Sequence, residues 1–291
     1  MRKVAICIDF DGCVTEGDWF PEVAPIIPEA IKTINLWYNQ GHTIIFSSCR
    51  TGITQQAAEV ALDLHGVRYH YFNKNDPSRT KKYQNDSRKI GADFYIDDKQ
   101  IGGMPGWNEA YNYVLERVVD RSIILCVVGE SGSGKTFLAT HLERYGFKQI
   151  ESYTTRAKRA PYETGHTFVK DEEFDEFDKE DMIAFTEFGG SRYCCLMQDV
   201  GKLNSYVIDE DGLRYLKANF ADVFAIYSLR LYRDKNIRMD CVGKERVERD
   251  EGKFTGEGIE YDFAYDNIDD SQESLFRYVY TVALEKILND K

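Results

Sequence analysis

Apolar positions in this chain fall into short runs, separated by stretches that repeat at helical spacing. Val4-Ala5-Ile6-Cys7-Ile8 is the first run, and a β-branched stretch of that length predicts a strand buried on both faces. Pro28 to Gln40 then carries Ile31, Ile34, Leu36 and Trp37 as one apolar face, which predicts a helix. Thr43-Ile44-Ile45-Phe46 predicts a second strand, Gln55 to His65 a helix, and Tyr69 to Phe72 a short third strand. Asn73 to Ser87 is polar, rich in Asn, Lys and Asp, and reads as a loop. Ala92 to Ile96 predicts a strand, and Asn108 to Val119 a further helix. The alternation resumes with Ile123-Ile124-Leu125-Cys126-Val127-Val128. After a glycine-rich interval, Phe137, Leu138, Leu142 and Tyr145 return at helical spacing. Such alternation specifies parallel sheets covered by helices. The expected fold is α/β, with two doubly wound parallel-sheet domains. Asp120-Arg121-Ser122 is the natural boundary, giving domains 1–120 and 121–291 with no Pro/Gly/Ser-rich linker between them.

Composition narrows the function classes. At 291 residues, two domains of ordinary size are expected, and 43% hydrophobic with 30% charged residues fits a soluble globular chain. The 49 acidic against 37 basic residues give −12, which disfavours broad binding to nucleic acid or anionic membrane. A local basic groove remains compatible with that balance. The opening MRKVAICIDF is too short an apolar run for a signal peptide, and no stretch reaches membrane-spanning length. Seven cysteines without a paired spacing fit reduced thiols, so a cytoplasmic location without membrane partners is expected. Oligomeric state is not legible.

The chemistry lies at the strand ends. Asp9 and Asp11 close the first strand, Ser47-Ser48-Cys49-Arg50-Thr51-Gly52 the second, and Asp97-Asp98 follow the strand at 92–96. Carboxylates at the carboxyl end of a buried strand are costly unless used, and in a parallel sheet these ends share one crevice. In the second half, Gly129-Glu130-Ser131-Gly132-Ser133-Gly134-Lys135-Thr136 fits G-x-x-x-x-G-K-[ST] between a strand and a helix. Its glycines let successive N–H groups face a polyphosphate at a helix N-terminus. Lys135 is placed to neutralise β/γ oxygens of ATP, and the Thr136 hydroxyl to complete a Mg²⁺ shell.

Asp9-Phe10-Asp11-Gly12, Ser48-x-Arg50, Lys89 and Asp97-Asp98 resemble, in order, the four motifs of the haloacid dehalogenase-like phosphatases. The resemblance implies Asp9 as nucleophile, Asp11 as general acid and base, Ser48 as phosphoryl ligand and Lys89 as neutralising cation. Ser47 and Arg88 are one-position alternatives to the last two. The resemblance also implies Mg²⁺ held by Asp9, Asp11, Asp97 and Asp98. The short segments between these motifs predict little or no cap over the site, leaving room for a bulky substrate.

Glu151-Ser152-Tyr153-Thr154-Thr155-Arg156, with Arg159, Glu163, Gly165, His166 and Phe168, resembles the guanylate kinases, as does most of residues 123–288. Phe188-Gly189-Gly190-Ser191-Arg192-Tyr193 and Val207-Ile208-Asp209 match two later segments. The resemblance implies an acceptor site of Ser152, Arg156, Arg159, His166, Tyr193 and Asp209, and lid arginines at Arg230, Arg233 and Arg246. Forked guanidinium groups suit phosphate better than ammonium does. The chain departs from the family where a glutamate reads the guanine edge, here Ala184 with Glu187 three residues on, and where an aspartate is replaced by Val207. His166 stands for a tyrosine, and Cys194-Cys195 for small residues. Guanine discrimination is expected to suffer most.

Together these readings predict a bifunctional enzyme, a Mg²⁺-dependent phosphatase joined to an ATP-dependent kinase of a small phosphorylated acceptor, a nucleoside monophosphate. The alternatives are a polynucleotide kinase-phosphatase, disfavoured by the acidic balance, and a sugar-phosphate kinase acting on ribose bisphosphate. A non-catalytic interaction module is disfavoured by the intact phosphate loop.

Overall fold

Five residues, Ala5–Asp9, form β1, around which the first sheet is built. The computed structural model describes residues 1–163, 165–268 and 272–289, and the chain divides into two compact units, Met1–Asp120 and Arg121–Asp290. In the first, β1 leads to α1 (Pro28–Asn39), β2 (Thr43–Ser47), α2 (Gly52–Leu64), β3 (Tyr71–Phe72), α3 (Pro77–Tyr83), β4 (Phe94–Ile96) and α4 (Trp107–Val118). The strands run parallel in the order β3-β2-β1-β4. Ile6, Ile8, Ile44, Ile45 and Phe46 are fully buried, as strands covered on both faces require. Pro28 starts α1, where its fixed φ suits the first turn, and the helix buries Ala30, Ile34, Leu36 and Trp37. Trp37 packs against Trp107 and Tyr111 of α4.

The polar stretch 73–87 is not all loop. It contains α3, capped by the Asp76 carboxylate, which accepts from the Ser78 N–H at 2.9 Å. None of the α3 side chains is buried, so the helix has no apolar stripe to betray it. Local capping and Pro77 at its first position start it instead.

The second unit opens with β5 (Ile123–Val128), all six residues buried, then α5 (Lys135–Leu142), β6 (Lys148–Gln149), β7 (Ser152–Thr154) and β8 (His166–Phe168). Next come α6 (Asp171–Asp175), β9 (Met182–Phe188), β10 (Ser191–Leu196), β11 (Leu203–Val207), α7 (Glu210–Phe220) and β12 (Ala225–Tyr232). The described chain ends with α8 (Lys235–Val242), α9 (Lys244–Arg249), β13 (Phe263–Asp266), α10 (Gln272–Tyr278) and α11 (Glu285–Asn289). A parallel sheet runs β13-β12-β5-β11-β6. A separate mixed sheet runs β8-β7-β10-β9, built on the β9–β10 hairpin. Both units are α/β. The mixed sheet departs from a purely parallel architecture, and its three-residue strands β7 and β8 are too short to show a period. Among the described residues, no helix is long and apolar enough to cross a membrane.

Candidate functional site

In the first unit, strand register assembles the acidic residues. Asp9 pairs with Ser47 across β1 and β2, and Ile8 with Ile96 across β1 and β4, so Asp97 follows alongside Asp9. Burial and then the Asp97 charge push the Asp9 carboxyl up to about 7. A Cβ on Gly12, whose φ is +76°, would stand 2.5 Å from Asp98 Oδ2, so the turn needs glycine both for its backbone and for this approach. Asp9, Asp98 and the Cys13 thiol bring their ligand atoms within 4.8 Å of one another.

Asp11 is held differently. The fully buried Arg50 donates from Nε and Nη2 to its two oxygens at 2.9 and 2.7 Å. Ser48 Oγ donates to Asp11 Oδ2 at 3.3 Å, while Asn73 braces the Ser48 N–H and the Arg50 carbonyl. Asp97 accepts from the Lys99 N–H, and Lys99 Nζ pairs with Asp98. Lys89 lies to one side, exposed, with its ammonium 4.8 Å from the Tyr95 ring centroid. The sheet edge therefore gathers Asp9, Asp11, Ser48, Asp97 and Asp98. Of the four carboxylates expected to hold metal, Asp9 and Asp98 converge, whereas the oxygens of Asp11 are engaged by Arg50 and Ser48.

This donor set suits a hard divalent cation. Asp98 Oδ1 is buried and makes no hydrogen bond among the described residues, while burial and then the Asp97 charge disfavour an ionised Asp9. Magnesium takes such carboxylate oxygens and completes its shell with water and phosphate. Burial pushes the Cys13 thiol up to about 12, so it stays protonated and adds no hard donor. Cys13 is the neighbour that motif reading missed.

In the second unit, β5 delivers the chain into Gly129–Gly134, and α5 starts at Lys135. A Cβ on Gly129 would lie 2.6 Å from the Leu231 carbonyl oxygen and from Ser133 Oγ, so the loop is packed against β12 as tightly as glycine allows. Lys135 Nζ donates to the carbonyls of Gly129 and Glu130 at 2.6 and 2.9 Å. Burial lowers its pKa to about 8, against the pull of Asp250 and Glu130. A cavity of about 490 Å³ opens here, lined by phosphate-loop residues including Thr136, and by Ser152, Arg159, His166, Tyr193 and Asp209.

Of the residues expected at an acceptor site, Ser152, His166 and Tyr193 lie on the mixed sheet, Arg156 and Arg159 follow β7, and Asp209 follows β11 of the parallel sheet. Arg156 and Arg159 both face Glu163: Arg156 Nη2 pairs at 2.8 Å, and the Arg159 N–H donates at 2.6 Å. Arg156 thereby holds Glu163 down at about 2, and it does not line the cavity. The His166 ring packs edge-on to Tyr193, and burial lowers its pKa. Ser152 Oγ donates to the Tyr206 hydroxyl at 3.2 Å. Asp209 caps α7 by accepting from the Gly212 N–H at 2.7 Å, and burial raises its carboxyl. Ala184 is buried in the core with Ile183 and Cys195. Thr186, two residues along the same strand, lines the cavity instead.

Of the three arginines expected in a lid, one lies within the core instead. Arg230 is a strand residue of β12, 1% exposed, and pairs with Glu130 at 3.0 Å. It braces the phosphate loop from behind, because the register of β12 on β5 points its side chain under that loop. Arg233 Nη1 donates to the Gly132 carbonyl at 3.4 Å, and Arg246 lines the cavity from α9. Arg249 and Asp250 were not singled out by sequence. Asp250 Oδ2 accepts from the Ser131 N–H at 2.7 Å, and Arg249 Nη2 donates to Ser131 Oγ at 3.2 Å and to Asp250 Oδ1 at 2.8 Å. Arginines three apart followed by an acid, Arg246-x-x-Arg249-Asp250, are the signal that could have found them.

Fold and sites thus define a two-unit α/β protein with a carboxylate cluster in one unit and a strand–glycine loop–helix element bordering a cavity in the other. No family model and no curated protein matches the chain. Among solved structures it is similar to a conserved protein coded by a locus of Bacteroides thetaiotaomicron. That likeness is 31% identical, covers 40% of this chain and 93% of that one, and has a TM-score of 0.36. It is also similar to guanylate kinase from Anaplasma phagocytophilum, at 20% identity over 57% of this chain and 87% of that one, with a TM-score of 0.44.

Proposed function

We propose that the second unit transfers the γ-phosphoryl group of ATP to an acceptor that already carries a phosphate, a nucleoside monophosphate. The observation that carries this reading is a single cavity lined both by the phosphate loop and by Arg159, Tyr193, Ser152 and Asp209. An oxygen of the acceptor phosphate attacks the γ-phosphorus, the bond to the β-phosphate bridging oxygen breaks, and ADP leaves. Lys135, Arg233, Arg246 and Arg249 offset charge on the moving group, and Arg159 with Tyr193 holds the acceptor. The burial of Ala184 and the capping role of Asp209 leave little carboxylate for a guanine edge, which favours a different base or a ribose bisphosphate. ADP formation is to be measured against every ribo- and deoxynucleoside monophosphate and ribose bisphosphate, with Lys135→Ala as control. Acceptor-independent ATP hydrolysis throughout would sink the kinase reading.

The first unit is, in the same proposal, a Mg²⁺-dependent phosphomonoesterase. Asp9 and Asp98 are the residues that would hold the metal, which when bound screens the repulsion between carboxylate and phosphate. An Asp9 oxygen attacks phosphorus, the ester bond breaks, and water then releases phosphate. Asp11 must let go of Ser48 or Arg50 before it can exchange a proton with the leaving oxygen. Hydrolysis of phosphate esters by the full chain, with Asp9→Asn as blank, tests this half.

A further inference from the structure

Between β1 and α1 the chain makes a strap that the acidic cluster does not account for. Its base is laddered: Ile27 N–H donates to the Val14 carbonyl and Glu16 N–H to the Pro25 carbonyl, both at 2.9 Å, and Thr15 bridges Ile26. Val14, Ala24 and Ile26 are buried at this base. The tip is the opposite. Trp19 and Phe20 stand next to each other, 58% and 60% exposed, on a strap otherwise tied down.

Arg50 bolts that tip to the site. Its guanidinium donates to the Pro21 and Glu22 carbonyls at 2.8 and 2.6 Å while gripping Asp11, and it lies 5.5 Å from the Phe20 ring centroid. On the other side, Asp18 is close enough to Lys99, the partner of Asp98, for its charge to be felt there. The aromatic tip therefore stands at the rim of the carboxylate cluster. Two consecutive exposed aromatic residues, on backbone held by Arg50 beside the proposed phosphate site, suit a flat apolar partner.

We infer that Trp19 and Phe20 form a stacking platform for the base of a mononucleotide whose phosphate reacts at Asp9. This rests on the phosphatase reading of the first unit. Residues 13–27 carry Glu16, Asp18 and Glu22 and no lysine or arginine, so the strap repels a polyanion. A polynucleotide end or an anionic membrane is thereby disfavoured, and a small ester with one aromatic base fits. Bases stack on aromatic side chains with little regard to sequence, which predicts tolerance among bases and a penalty for substrates lacking one.

The full-length chain with Asp9→Asn is titrated with nucleoside 5′-monophosphates and, separately, with ribose 5-phosphate. Of the 3 tryptophans, Trp37 and Trp107 are buried in the first unit and the second unit has none, so quencher-accessible emission reports Trp19. Nucleotides should quench it and ribose 5-phosphate should not. In the unsubstituted enzyme, kcat/KM should favour nucleotides over ribose 5-phosphate by about tenfold or more, the scale of one stacked base. Trp19→Ala with Phe20→Ala should bring that ratio to near one. Equal hydrolysis of both esters with unchanged Trp19 emission overturns the platform while leaving the phosphatase intact. Preference for a phosphotyrosine peptide overturns the mononucleotide. No Asp9-dependent hydrolysis of any ester overturns the phosphatase reading, and Trp19 quenching in Asp9→Asn still decides whether the tip binds a base.

Discussion

The two units place their polar chemistry at strand ends in the same way, yet with opposite charge. In the first, carboxylates crowd together, and burial beside Asp97 pushes Asp9 up to about 7. In the second, cations crowd together: burial lowers Lys135 to about 8, and burial with Arg249 lowers Arg246. In the proposed reading each crowded site would be relieved by charge of the other sign, a divalent cation in one and a polyphosphate in the other. Each also has a buried arginine paired with an acid at its loop, Arg50 with Asp11 and Arg230 with Glu130. The comparison teaches that arginine count says little about catalysis here. Buried Arg50 and Arg230 shape loops, whereas the part-exposed Arg233, Arg246 and Arg249 line the cavity.

The largest expected effect separates the two chemistries. Lys135→Ala should lower acceptor-dependent ADP formation by roughly a hundredfold or more while leaving ester hydrolysis unchanged, and Asp9→Asn should do the reverse. Loss of both activities in either variant would break the comparison. Next, Arg230→Ala should destabilise the second unit by about 3 kcal/mol in urea unfolding, because it strands buried polar partners. Arg246→Ala should cost activity while stability stays within about 0.5 kcal/mol. If Arg230→Ala unfolds no more easily than Arg246→Ala, the division into shaping and facing arginines is wrong.

A smaller effect is one of pH. Lys135 sits below the ordinary lysine range, so it loses its proton as pH rises through about 8. ATP affinity, measured by calorimetry, should therefore fall above that pH, with proton uptake on binding. A flat affinity from pH 7 to 9 would contradict this. The smallest effect belongs to Glu163, lowered from 4.5 to about 2 chiefly by its bond to Arg156. Its stabilising contribution is full above about 4.5 and disappears as pH falls toward 2. Glu163→Gln should cost about 1 kcal/mol at pH 7 and nothing measurable near pH 2.

Strong local signals were readable before any coordinates. The runs at β1, β2 and β5, and the amphipathic faces of α1 and α4, have periods that burial imposes directly. Helix α3 was not readable, since a helix started by its cap and buried nowhere leaves no periodic trace. Of the residues named for the phosphate loop and acceptor, the cavity gathers Lys135, Thr136, Ser152, Arg159, His166, Tyr193 and Asp209, while Arg156 turns to Glu163. Arg230 illustrates the limit most sharply. A charged residue on an apolar strand reads as functional, and only strand register places it beneath Glu130.

The sequence by itself determined which residue types end each strand and how the glycine loop is spaced, because both are dictated by backbone conformation and by neighbours along the chain. Tertiary structure alone decided which of those groups meet. Asp98 reaches Asp9 through the pairing of β4 on β1, and Asp250 reaches the Ser131 N–H across 119 positions of sequence. Through-space electrostatics act over a few ångströms, and local pattern carries no record of that distance.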